Sequence, residues 1–280
     1  MILSIVICTR NRAAQLGPCL NAISAMHRPD GFELIVVDNA STDHTATVIR
    51  DFADEADYPV KLAFEPNPGL GNARNCGWRH AQGEIVAFTD DDCYVDRNFA
   101  HAILAIFQSN DSLGFLGGRI LLHDPSDLRM TIQESTKRQE FPPGKLIPAG
   151  AIQGANFAFR RRALGAAGGF DPLLGAGTPF PSEDVEMVSR LSTLGWPGIY
   201  TPEPVVYHHH GRKTDDDAYK LIKGYDLGRG AYYMAMMLNS GLRLQTLRFW
   251  FWKIRHQEFI RSQREIRGGL GYLGQRLRQG

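Results

Sequence analysis

Three consecutive carboxylates, Asp90, Asp91 and Asp92, follow the apolar run Glu84–Phe88. Directly after a buried strand, their mutual repulsion is costly unless a cation neutralises it. Hard oxygen ligands at that density suit Mg2+ or Mn2+ shared with a diphosphate, the ion acting as Lewis acid on the leaving group. A solvated acidic turn is the competing account of the tripeptide taken alone.

Four further clusters could work with such an ion. Leu34–Asp43 closes a second apolar run on Asp38, which can accept hydrogen bonds from a nucleobase or ribose, while Ser41 to Asp43 suit a helix cap. Asn67–Asn75 is a glycine-bearing loop feeding a helix that carries Arg74 in its first turns. Two glycines fall short of a dinucleotide fingerprint, and Arg74 is equally a phosphate or base contact and a surface arginine. Ser182–Glu186 opens a helix with Val185, Val188 and Leu191 on one apolar face, behind the Gly/Pro-rich loop Leu174–Pro181. A carboxylate of that first turn can accept the proton of an acceptor hydroxyl, or it can simply offset the helix dipole. In Tyr207–His210, strand alternation puts His208 and His210 on one side and His209 on the other, so that one imidazole can complete a metal shell.

These clusters sit where a parallel sheet would hold them. β-rich runs at Leu3–Cys8, Glu33–Val37, Val60–Phe64 and Glu84–Phe88 alternate with helical patterns at Ala13–Ala25, Thr45–Phe52 and Gly71–His80. That rhythm predicts a mostly parallel sheet with crossover helices, whose ligands bind beyond the carboxyl ends of the strands. From about Asp96 to Gly211 the pattern changes to a helix at Phe99–Phe107, a strand at Leu116–Leu122, a polar helix-like stretch and a Pro/Gly-rich loop at Phe141–Gly150. A strand at Asn156–Phe159, a helix after Asp184 and closing strands near Ile199–His208 complete an acceptor-binding half. Residues 1–212 therefore read as one α/β catalytic domain, divided near residue 95, and residues 213–280 as a helical appendage with helices over Asp215–Leu238 and Leu242–Arg267.

The 280 residues carry a formal charge of +1, but from Gly241 onward nine Lys/Arg face two Glu, leaving the first 240 residues at about −6. Four cysteines without Cys-x-x-Cys spacing read as reduced, structural thiols. Met1 leads into a strand with no charged leader or cleavage site, and Arg243, Arg248 and Lys253 interrupt the most apolar tail segment. Neither a signal peptide nor a transmembrane span is expected, which points to the cytoplasm, free or peripheral at the inner face of the cell membrane.

Taken together, these segments resemble the family-2 inverting glycosyltransferases of GT-A fold. The likeness runs from Leu3 to His210 and is carried by Ser4–Arg12, Ile35–Asp43, Gly71–Gly77, Ile85–Asp92, Gly154–Arg161, Gly168–Asp171, Glu183-Asp184 and Val205–His208. The resemblance implies that Thr9, Asp38 and Arg74 contact the nucleoside, Asp90 the ribose, and Asp92 a Mn2+ or Mg2+ bridging the diphosphate. It further implies His208 as a metal ligand and Asp184 as the general base. Asp91 belongs to the same donor site without an assigned contact. Where the family usually carries an aromatic, this chain has Arg10, which can stack on the base or pair with phosphate. The expected partners are a nucleoside-diphosphate sugar, with UDP as the first expectation, and a glycan or lipid-linked acceptor.

In the tail, Leu247, Trp250, Phe251 and Ile254 fall at helical spacing with Arg248 and Arg255 off that stripe. Such a helix can lie on an anionic bilayer, dock on the catalytic domain or join a second subunit. No nucleic-acid motif accompanies the charge. Two rival functions share parts of this pattern: a sugar nucleotidyltransferase, which would want a glycine-rich turn and a catalytic lysine after the first strand, and a non-catalytic nucleotide-sugar-binding module.

Overall fold

The computed structural model describes residues 2–239 and 241–279; Gly280, the last residue of the basic tail, lies outside them. Four apolar runs become β1 (Leu3–Thr9), β2 (Phe32–Asp38), β3 (Val60–Phe64) and β4 (Ile85–Asp90), linked by α1 (Leu16–Ala25), α2 (Thr45–Glu55) and α3 (Leu70–His80). All pair in parallel, in the order β3-β2-β1-β4. β1, β2 and β4 are apolar on both faces because helices cover both, as a parallel sheet requires.

Beyond β4 the sheet continues through β8 (Asn156–Arg160), β6 (Phe115–Leu122), β9 (Gly198–His208) and β5 (Cys93–Val95), with β7 (Gln139–Phe141) added on β9. The β4–β8, β6–β8, β5–β9 and β7–β9 pairs are antiparallel. On one face, Leu20, Ile23, Ile49 and Ile103 of α1, α2 and α4 (Phe99–Ser109) join one buried cluster with Ile5 and Ile7 of β1, Leu34 and Val36 of β2, and Ile199 and Val206 of β9. On the other, α3, α5 (Arg161–Ala167) and α6 (Glu183–Thr193) enclose a cluster in which Phe88, Phe157, Phe159 and Phe170 meet edge-on or tilted, with ring centroids 4.8–6.0 Å apart.

The polar stretch after β6 is not the helix its composition suggested. Asp124 turns back to accept the Ser126 N–H and hydroxyl, Thr131 takes a φ of 54°, and Ile120 bridges Gln133. Side chains that satisfy the backbone locally compete with helix formation.

The tail also departs from expectation. α7 (Asp215–Asn239) is followed by two helices, α8 (Arg243–His256) and α9 (Phe259–Gln279), because Gln257 adopts an extended conformation where one continuous helix was expected. The break lets α8 fold back on α9: Trp250 Nε1 donates to Glu265 at 3.2 Å, and Lys253 Nζ lies 3.2 Å from the same carboxylate. α7 and α9 approach at glycines, since a Cβ on Gly230 would lie 1.7 Å from the Glu265 carbonyl and one on Gly268 1.9 Å from that of Leu227. Asp226, fully buried on α7, gathers Arg229, Arg261 and Arg264. At the far end Tyr272 donates a 2.5 Å hydrogen bond to Asp171. Among the described residues, no helix is long and apolar enough to cross a membrane.

Candidate functional site

β1 has β2 on one side and β4 on the other, so the loops after β1 and β4 diverge and leave a crevice. It opens into a cavity of about 720 Å³ lined by Thr9, Arg10, Arg74, Asp90, Asp91, Asp92, Asp184 and His208. Eight of the nine residues singled out from sequence thus share one cleft. Asp38 is the exception: it is buried at the end of β2, beside Thr9 in register, and its Oδ1 accepts the Ser41 N–H at 2.9 Å.

Each aspartate of the cluster meets a different environment. Asp90 faces the Arg74 guanidinium at 3.3 Å, and burial still holds its carboxyl above the ordinary range. Asp91 accepts the Thr9 hydroxyl at 2.6 Å and lies 3.8 Å from Arg12; burial pushes it up to about 6. Thr9 therefore spends its hydroxyl on Asp91, an interaction no local pattern announced. Asp92 stands 3.3 Å from His208 Nε2 and 3.9 Å from Arg12. Burial would raise it, but the hydrogen bond and charge of His208 bring it below the usual carboxylate range. Reciprocally, burial would lower His208 and Asp92 raises it.

The Asp92–His208 contact spans most of the chain and rests on the β5–β9 pairing, in which Cys93 lies opposite His208. His209 N–H then donates to the Asp92 carbonyl at 2.9 Å. Asp92, Cys93 and His208 offer ligand atoms within 4.8 Å of one another, but burial raises the Cys93 thiol and keeps it protonated, leaving an oxygen and a nitrogen. That pair, facing a cleft wide enough for further oxygen ligands, fits a Mn2+- or Mg2+-type ion. His210 shares the side of His208, as alternation predicts, but its Nε2 is directed to the Leu128 carbonyl at 3.0 Å. A second set, Asp124, Asp127 and His209, is close enough for a cation, but Lys213 already sits 3.0 and 3.8 Å from its two carboxylates.

Arg74 is not a surface arginine. It is 2% exposed, ion-paired to Glu183, 3.2 Å from the Gly154 carbonyl and stacked 4.8 Å over the Phe157 ring. Its guanidinium spans the β4 end, the loop before β8 and the first turn of α6, and holds Asp90 where the cleft needs it. Burial pushes the Glu183 carboxyl up while Arg74 opposes the shift. The neighbouring Asp184 is fixed by two backbone donors, Gly154 N–H at 2.9 Å and Val185 N–H at 2.7 Å, and still lines the cavity.

Sequence reasoning missed part of the lining. Arg12 ends the Ser4–Arg12 segment, and Arg212 follows the histidines; the Nη1 of Arg212 is shielded from solvent without a hydrogen-bond partner. Lys220, Tyr225 and Arg229 reach the cleft from α7. Their one available signal was the helical spacing of polar residues along α7, which is too common to single out.

The family model described as "Glycosyl transferase family 2" matches residues 4–167. Among curated proteins, an uncharacterized glycosyltransferase of Nostoc sp. is 34% identical over 116 residues, 41% of this chain and 36% of that protein. The poly-beta-1,6-N-acetyl-D-glucosamine synthase of Staphylococcus epidermidis is 24% identical over 213 residues, 73% of this chain and 49% of that protein. The chain spans half or less of the length of these relatives. Among solved structures, the mannosyltransferase PcManGT from Pyrobaculum calidifontis, in complex with GDP-Man and Mn2+, aligns with a TM-score of 0.66 and 21% identity over 99% of this chain and 75% of its own. S. aureus TarS 1–349 in complex with UDP-GlcNAc aligns at 0.60 and 17% identity over 88% of this chain and 69% of its own. At those identities the likeness speaks for the fold, which is GT-A.

Proposed function

The chain belongs to glycosyl transferase family 2, and from that premise we propose that it transfers a sugar, with inversion, from a nucleoside-diphosphate sugar to a saccharide or lipid-linked acceptor. The observation that carries this reading is the convergence of Asp90, Asp91, Asp92, His208, Arg12, Arg212 and Asp184 on one cleft at the carboxyl ends of β1 and β4. Carboxylates beside arginines, one of which, Arg212, has a buried Nη1 without a hydrogen-bond partner, suit a metal-diphosphate group, which presents positive charge to the first and negative charge to the second.

In this mechanism Asp92 and His208 hold the divalent ion, Mn2+ or Mg2+, which when bound neutralises charge developing on the leaving diphosphate. Arg212 and Arg12 face the diphosphate oxygens, and Arg10 at the mouth meets the base or a phosphate. Asp90 accepts from the ribose, and Thr9 acts by fixing Asp91. Arg74 acts on the donor through Asp90 and the α6 turn that it positions, and Asp38 shapes the loop after β2 that adjoins Thr9. Asp184 takes the proton of the acceptor hydroxyl as that oxygen bonds to the anomeric carbon and the bond to the diphosphate oxygen breaks on the opposite face. The backbone donors to Asp184 aim the carboxylate before the acceptor arrives.

PcManGT is bound to GDP-Man and TarS to UDP-GlcNAc, so the fold accommodates more than one base. The test is a thermal-shift screen of UDP-, GDP- and dTDP-sugars with and without Mn2+, followed by transfer assays with the stabilising donor. A donor that raises the melting temperature only with the metal, and is then consumed, supports the proposal. Stabilisation by no donor, together with no donor hydrolysis, would reject it.

A further inference from the structure

α8 turns Thr246, Trp250 and Lys253 inward onto α7 and α9. The apolar stripe read from sequence therefore divides: Trp250 and Ile254 pack inside, whereas Leu247 and Phe251 do not. Round the helix from Thr246, Leu244 (70% exposed), Phe251 (59%) and Trp252 (55%) stand in solvent beside Arg248 and Arg255, and Phe259 (77%) is exposed at the start of α9, past the break. Single exposed apolar residues need no account, but a contiguous aromatic patch leaves a sizeable burial term unused.

We propose that this face of α8, with Phe259, docks on an anionic lipid surface, its aromatic side chains entering the headgroup region and its arginines pairing with lipid phosphates. The charge pattern selects this occupant. α8 contains no Asp or Glu, so a second copy meeting it helix to helix would bring Arg248 and Arg255 against their own counterparts, the exposed Glu258 lying past the break beside Phe259. An anionic bilayer offers apolar depth and negative charge together, and Arg255, lying 5.6 Å over the Phe251 ring, already couples the two on one patch. The consequence for the cleft is geometric. α8 packs on α7 through Trp250 and Tyr233, with ring centroids 5.6 Å apart, and α7 carries Lys220 and Tyr225 into the cavity. Docking holds the cleft at a fixed height above the lipid. The inference does not depend on sugar transfer and stands or falls separately from it.

The experiment is flotation of the full chain with phosphatidylcholine vesicles, with and without phosphatidylglycerol. The wild type is expected to float with the anionic vesicles only. Phe251→Ser with Trp252→Ser, both at exposed positions, should weaken that binding at least about tenfold, and Arg248→Gln with Arg255→Gln should lower it by about tenfold. Unchanged circular dichroism spectra establish that the variants remain folded. The proposal is overturned by absence of binding, by equal binding to neutral vesicles, by binding that neither variant lowers, or by lipid-free self-association that Phe251→Ser/Trp252→Ser abolishes, which would assign the patch to a second copy.

Discussion

Arg74 and Glu183 meet as an ion pair inside the protein, 2% and 7% exposed along their side chains, although 109 residues separate them. The pair fastens α3 to the turn of α6 that carries Asp184. Removing one partner leaves the other charge buried, so Arg74→Met or Glu183→Leu alone should cost about 3–5 kcal/mol, and the double variant less than the sum. Urea denaturation of the three variants checks this; additive losses would show that the two side chains act independently.

Asp184→Asn keeps the size of the side chain and removes its ability to take a proton. Transfer should fall by roughly 10²–10⁴-fold while nucleotide affinity, read by calorimetry, stays near wild type. Full turnover in the folded variant would move the base assignment to another carboxylate.

Asp92→Ala and His208→Ala should each abolish the Mn2+-dependent part of the thermal shift given by a nucleoside diphosphate, because each removes one of the two facing ligand atoms. His209→Gln is the control: His209 lies on the other side of the strand, bonded at 3.0 Å to Tyr94, and its loss should leave the metal response intact. The reverse pattern would transfer the ion to the Asp124–Asp127 side.

Arg212→Gln tests the cation whose Nη1 has no hydrogen-bond partner. A charge-assisted bond to phosphate is worth enough that affinity for a nucleoside diphosphate should drop about ten- to hundredfold, with little change for the nucleoside itself. Equal losses for both ligands would mean that Arg212 supports the fold of the cleft instead.

Glu33 supplies a pH signature of stability. It is buried within β2, where burial would raise its carboxyl, but Lys61 at 2.7 Å, Ser4 at 2.6 Å and the Gln82 N–H at 2.6 Å lower it overall. With the folded value depressed, its contribution is complete above the ordinary carboxylate range and is lost as the pH falls through the folded value. Glu33→Gln should therefore cost roughly 1–3 kcal/mol at neutral pH, with the gap to wild type closing in acid, as urea midpoints across pH would show.

The first half of the fold and the aspartate cluster were legible because their signals are local. Strand periodicity locates β1 to β4, and a carboxylate at a parallel strand end already faces the ligand crevice. Pairings across the chain were not legible. Nothing near Arg74 announces Glu183, and nothing near Asp92 announces the β5–β9 register that brings His208 beside it. The same limit explains the tail: helical spacing grouped Trp250 with Phe251, but only the fold-back at Gln257 decides which of them meets Glu265.

Tyr272 on Asp171 has a bearing on how such chains can be recombined. Asp171 ends the Gly168–Asp171 turn, whose Phe170 carbonyl accepts the Asn75 amide of α3 at 2.8 Å, so the last helix is stitched through one turn to the parallel β1–β4 half of the sheet. A chimera joined just after His210 would put a foreign helix against a native turn and leave Asp171 facing whatever residue replaced Tyr272. Exchange of acceptor preference between relatives is therefore expected to succeed only when the segment from the Gly168 turn through α9 moves as one block, carrying both halves of that contact.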